Sequence, residues 1–136
     1  MSLKVLDATL GTTYRTTLAV RQHAFAADEP ADAGGTDTAP TPVELLLGSL
    51  AACTAITLRM YAQRKQWPLD GVDVQVQYTA TPVPTMVKVI TPRGALDDEQ
   101  KARLLEIAEK CPVARLLKSG VTSESRLGPV DGVAIG

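Results

Sequence analysis

The sequence predicts an α+β fold in a single domain spanning residues 1–136. Three observations carry this reading: short stretches with period-two alternation, one long segment that is apolar nearly all round, and a later helical stripe broken at Pro112.

Tyr14 to Val20 alternate bulky and hydroxylated side chains, and His23 to Ala27 resume an extended pattern after Arg21-Gln22, which predicts a hairpin with Arg21 at its turn. Asp28 to Thr41, DEPADAGGTDTAPT, is rich in Pro, Gly, Ala and Asp and reads as a long loop, a length that in a compact domain hints at function or subunit exchange. Thr41-Pro42-Val43-Glu44 then starts a helix: Thr41 suits the cap, Pro42 the first helical position, and Glu44 the acid of a capping box. The helix is expected to reach about Lys65 and to lie centrally, because between Val43 and Ile56 few residues are polar. Val72, Val74, Val76 and Tyr78 alternate with polar residues as in a strand with one wet face, and Pro82 and Pro84 turn the chain into a second strand, roughly Met86 to Thr91. Asp97-Asp98-Glu99 open another helix, with Leu104, Leu105 and Ala108 as its apolar stripe. A short helix from Pro112 to Lys118 ends at Gly120, Val121 to Leu127 can add one more strand, and the tail GPVDGVAIG looks poorly held.

The apolar fraction of 45% is ordinary for a globular chain, but one Phe, one Trp and three Tyr leave the core to Ala, Val and Leu, which oligomerisation would help. Fourteen basic against fifteen acidic residues give a net charge of −1, with no basic stripe to neutralise phosphates, so nucleic acid is not an expected partner. The N-terminal residues lack a secretory signal pattern, and nowhere do about 18 apolar residues run together. These features predict a soluble cytoplasmic protein with no membrane partner.

Two cysteines are too few for a disulfide scaffold, so any pairing between them is expected to be transient. With His23 as the only histidine, a zinc site would lack ligands, and no cofactor is called for. Cys53 lies within the long apolar helix, where a cysteine is more often a small hydrophobe than a nucleophile. A mid-helix thiol gains nothing from a helix N-terminus and has no backbone dipole to favour its thiolate, so a reactive Cys53 would need a cation from elsewhere. Cys111 directly precedes Pro112, where it can cap the short helix and face free N–H groups that favour a thiolate; the plainer alternative is a breakpoint between two helices.

The segment GGTDTAPTPVELLLGSLAACTAITLRMYAQRKQWPLDGVDVQV, with its Gly-rich approach, Pro-x-Glu-Leu-Leu start and Ala-Ala-Cys helix, resembles the central part of OsmC/Ohr proteins, and LLEIAEKCPVARLL resembles that family's second cysteine motif. The likeness spans most of residues 14 to 127. It implies an intertwined homodimer in which antiparallel sheets pack around central cysteine-bearing helices. It further implies a thiol-dependent peroxidase for organic hydroperoxides, in which Cys53 attacks the peroxide and Cys111 resolves the sulfenic acid as a disulfide. An external thiol, for example a lipoyl-linked one, would reduce that disulfide. The alternative within the family is a non-enzymatic redox sensor or a protein binding small apolar ligands.

A thiol of ordinary pKa, about 8.5, is only about 3% ionised at pH 7, so a reactive Cys53 needs help. A guanidinium at about 4 Å contributes roughly 4 kcal/mol at an effective dielectric of 20. The resemblance assigns this cation to Arg21, at the hairpin turn before Asp28, with Arg15 as the alternative. Members known for hydroperoxide resistance carry the arginine's glutamate directly after the helix proline, where this chain has Val43. Glu44 comes one residue later, turned by about 100°, so it serves as either the arginine's anchor or only the cap. Ala114 in CPVAR also replaces a histidine common in OsmC-like sequences. Both departures place the chain in the broader OsmC-like group.

Overall fold

The computed structural model describes residues 3–130, which divide into two compact units: one comprises the chain up to Pro42 together with the chain from Thr122, and the other is Val43–Val121. The first unit holds a three-stranded antiparallel sheet in the order β1 (Asp7–Leu10), β2 (Thr16–Val20), β3 (His23–Ala27). The hairpin is where the sequence puts it: Val20 pairs with His23 and Arg21 occupies the turn, in a left-handed conformation (φ 52°). β1 was not foreseen, because all four of its residues are exposed and a strand without a buried face leaves no alternation to read.

The loop after β3 is ordered by one buried carboxylate. Asp28 Oδ1 accepts the Glu29 N–H at 2.8 Å, while Oδ2 accepts the Thr38 N–H at 3.1 Å and the hydroxyls of Thr36 and Thr38 at 2.8 and 2.7 Å. Arg15 in turn donates to the carbonyl and hydroxyl of Thr38 at 3.0 and 2.8 Å. At Gly35 a Cβ would collide with the Glu29 carbonyl, so only glycine fits there. Composition alone suggested no structure here, because these partners lie up to ten residues apart within a polar run.

Thr38's hydroxyl and N–H, then the Glu29 N–H, hold the Asp28 carboxyl well below the usual carboxylate range, against the opposing effect of burial. A carboxylate depressed in this way stabilises the fold fully above its unfolded value of about 4, and that contribution fades as pH falls below it. Asp28→Asn would put an amide N–H where acceptors are needed. The variant is expected to have a lower urea midpoint than the parent at pH 7, and the gap is expected to narrow on acidification below about pH 4. A gap that does not change with pH would show that Asp28 acts by shape and not by charge.

In the second unit α1 (Pro42–Lys65) is followed by an antiparallel hairpin of β4 (Gly71–Thr79) and β5 (Thr85–Arg93), then α2 (Asp98–Ala108) and α3 (Pro112–Ser119). α1 spans the limits that its proline start and basic end predict, and Asp97 caps α2 through a capping box with Gln100. Leu58, Tyr61 and Ala62 of α1 pack with Leu69, Leu96, Leu104, Ile107 and Ala108, closed by Val72 and Ile90 of the hairpin. Truncating the fully buried Leu58 to alanine would cost about 2–5 kcal/mol by the usual cavity penalty.

Three expectations are corrected. α1 is not buried all round: Leu50, Thr54, Leu58, Tyr61 and Ala62 form one buried stripe, while Ile56 and Met60 are 54% and 63% exposed. Length and composition would allow this helix to cross a membrane, but its buried stripe also packs as a core helix does. In α2 the apolar face is Leu104, Ile107 and Ala108, whereas Leu105 is exposed, since i, i+3, i+4 spacing turns it away from Leu104's side. Residues 121–127 form no strand; no described strand pairs with them, and extended backbone without a partner cannot make ladder hydrogen bonds. The expectation for the end of the tail falls on residues 131–136, outside the described residues.

Candidate functional site

α3 explains why two cysteines 58 positions apart in the sequence share one site. Cys111 is its N-cap: the side chain accepts the Ala114 N–H at 3.4 Å, and Pro112 opens the helix without an N–H of its own. The next free donor of that turn, the Val113 N–H, points at Cys53 Sγ from 3.5 Å. One helix N-terminus therefore serves both sulfurs. The premise that Cys53 has no backbone dipole to help it holds only for its own helix.

Leu50, Cys111 and Ala114 form a small buried cluster, and Cys53, Val76, Met86 and Val113 pack against it. Both cysteines are free thiols; Cys111 is fully buried, while Cys53 is partly exposed. The Thr54 hydroxyl, also fully buried, lies 3.6 Å from Cys111 Sγ. Lys88 reaches the same hydroxyl at 3.4 Å, donates to the Ala108 carbonyl at 2.8 Å and pairs with Glu109 at 3.1 Å. Glu109 also pairs with Lys118 at 2.9 Å.

These surroundings split the two thiols. Burial pushes Cys53 up, the Val113 N–H works against that, and a neighbouring Cys111 thiolate pushes it up further. Burial would also raise Cys111, but the Ala114 N–H, the Thr54 hydroxyl, Cys53 and Lys88 outweigh it, so Cys111 is held below its ordinary value. The two thiols are thus pushed in opposite directions, the accessible Cys53 up and the buried Cys111 down, so a nucleophilic Cys53 calls for a further cation.

Of the residues singled out from sequence, the structure brings Cys53 and Cys111 together. Glu44 lies exposed in the first turn of α1 in the same unit, and Arg21 lies exposed at the β2–β3 turn of the first unit. Sequence reading missed Thr54 and Lys88. The signal for Lys88 was its parity: Met86, Lys88 and Ile90 share the inward face of β5, where a charge requires a reason. Beside the cluster lies a cavity of about 550 Å³, lined by Leu50, Met86, Ile90 and Leu117 among others and by the charged Lys88, Glu109 and Lys118.

A family model described as OsmC-like protein matches residues 35–126, more than half of the chain. A solved structure described as an osmotic stress induced and detoxification response protein, from Psychrobacter arcticus 273-4, is 25% identical, with a TM-score of 0.72 over 85% of this chain and 88% of that one. An organic hydroperoxide resistance protein OsmC from Legionella pneumophila is 18% identical, with a TM-score of 0.61 over 87% of this chain and 90% of that one. The organic hydroperoxide resistance protein OhrB of Bacillus subtilis is 20% identical, with a TM-score of 0.59 over 86% and 91%. At these identities the last two speak for the fold. No curated protein matches the chain.

Proposed function

Because this chain belongs to the OsmC-like protein family, which includes proteins named for organic hydroperoxide resistance, we propose that it is a thiol-dependent peroxidase acting on organic hydroperoxides. The observation that carries the proposal is the gathering of two free thiols at one helix N-terminus, one accessible and one buried. In this reading the Cys53 thiolate attacks the distal peroxide oxygen, the O–O bond breaks, and the alcohol leaves once its alkoxide is protonated. Cys53 becomes a sulfenic acid. Cys111 thiolate then attacks the Cys53 sulfur and displaces hydroxide, which leaves as water, and the disulfide forms. An external dithiol, a lipoyl-linked one among the candidates, returns both thiols. The apolar cluster against which Cys53 packs, with Leu50 and Ala114 in it and Val76, Met86 and Val113 around it, favours organic over hydrogen peroxide.

Arg21 is the proposed cation for Cys53. Its φ of 52° is what the two-residue turn between Val20 and His23 demands, so its assignment rests on the family resemblance. Glu44 is assigned to anchoring that arginine or to capping α1. Turnover of an organic hydroperoxide by the reduced protein, supported by dihydrolipoamide, tests the proposal. Sustained, protein-dependent consumption is expected; disulfide formation without turnover would instead favour a redox sensor.

We place the protein in the cytoplasm as a homodimer. The apolar face of α1 at Ile56 and Met60 is left uncovered within one chain, and a second subunit would bury it. Light scattering at micromolar concentration is expected to give twice the chain mass of 14.4 kDa. A folded monomer would contradict the intertwined assembly.

A further inference from the structure

Lys88 is an inward-facing charge in an otherwise apolar register, and its side chain is only 10% exposed. Three partners occupy it: the Ala108 carbonyl at the last residue of α2, the Glu109 carboxylate, and Thr54 Oγ1. An ammonium group can only donate, so Thr54 accepts from Lys88, and its hydroxyl hydrogen is free to point at Cys111 Sγ once that sulfur is a thiolate with no hydrogen of its own. With Cys111 ionised, the chain runs from Lys88 N–H through Thr54 O–H to a sulfur that also accepts the Ala114 N–H. That arrangement suits an anion at Cys111. Among the described residues, the titratable groups that act on this sulfur are Lys88 of β5 and Cys53 of α1, with Glu109 paired to Lys88 and Lys118 paired to Glu109.

We propose that Lys88 and Thr54 are positioning residues that make Cys111 the leaving thiolate when the Cys53–Cys111 disulfide is reduced, so that the reductant attacks Cys53. The inference rests on the two-cysteine reading above. In this step a reductant thiolate attacks Cys53 Sγ and forms a mixed disulfide. The Cys53–Cys111 bond breaks, and its electron pair stays on Cys111 as a thiolate within the Ala114, Thr54 and Lys88 hydrogen bonds. The second thiol of the dithiol then displaces Cys53 and leaves as the oxidised cyclic disulfide. Burial gives the same direction, since Cys111 is fully enclosed and an external thiol meets Cys53 first. A leaving thiol of lower pKa departs faster, so the Lys88 relay accelerates reduction without touching the attacking thiol.

The test starts from disulfide made with diamide, which makes it independent of peroxidase activity. Excess monothiol followed by acid quenching is expected to trap the mixed disulfide on Cys53, read by peptide mass mapping of the parent protein. Reduction by excess dithiothreitol, followed from pH 6 to 9, is expected to slow by about threefold or more in Lys88→Met and Thr54→Val. Thiolate absorbance in the Cys53→Ser background should show the Cys111 titration displaced upward by the same two changes. Lys88→Arg should restore most of the rate. Thr54→Val removes one oxygen from a buried site and keeps the parent's shape, so it reports even if Lys88→Met folds poorly. An adduct on Cys111, or unchanged rates and titration in both variants, would overturn the assignment. Failure of diamide to form the disulfide would instead overturn the two-cysteine reading itself.

Discussion

Cys53→Ser is expected to abolish reaction with organic hydroperoxide, by at least about a hundredfold, or about 2.7 kcal/mol of transition-state stabilisation. Cys111→Ser should keep the first equivalent of reaction within about tenfold of the parent and then stop. The asymmetry follows from access: Cys53 is partly exposed and Cys111 is fully enclosed, so only the former can meet a peroxide, although its surroundings push its thiol up while those of Cys111 push that thiol down. In Cys111→Ser the product should be a Cys53 sulfenic acid that dimedone captures, because no second thiol remains to displace its hydroxide. Stopped-flow consumption and mass analysis read both variants. The reverse pattern, with Cys53→Ser still reacting once and Cys111→Ser inert, would exchange the two roles.

Arg21→Ala is expected to slow the first equivalent by at least tenfold, about 1.4 kcal/mol, and to move the rate's dependence on pH upward as the Cys53 thiol becomes harder to ionise. The urea midpoint should barely change, because Arg21 is an exposed turn residue. Arg15→Ala is the matched control. Arg15 already donates twice to Thr38, so its loss should loosen the Asp28 loop and lower stability more than it slows the reaction. Rates and titrations at parent values in Arg21→Ala, with a slow Arg15→Ala, would transfer the cationic role to Arg15. If neither matters, the Val113 N–H is the main support for Cys53, and a sensor fits better than an efficient peroxidase.

The features legible in the sequence were those written in local chemistry. Proline and the basic end bracket α1, alternation marks β4, the prolines after it announce β5, Arg21 falls at the hairpin turn, and Cys111-Pro112 reads as a helix cap. What escaped depends on contacts between distant residues. The Val113 N–H reaches Cys53 across 60 positions, and Lys88 reaches Thr54 across 34. No window of sequence contains either pair. Asp28 shows the same limit at shorter range: its loop looked structureless because Thr36 and Thr38 become partners only once the chain has turned back. Lys88 left a local trace, a charge at core parity between Met86 and Ile90, which marks a buried ion with work to do even when its partner cannot be named.

The most direct measurement mixes fully reduced protein with one equivalent of an organic hydroperoxide, follows peroxide loss by stopped flow, and maps the thiols by mass spectrometry after quenching. The account predicts stoichiometric peroxide consumption with loss of both thiols and a single intramolecular Cys53–Cys111 disulfide. Peroxide left unconsumed, or consumed with Cys53 and Cys111 both still free, would contradict it.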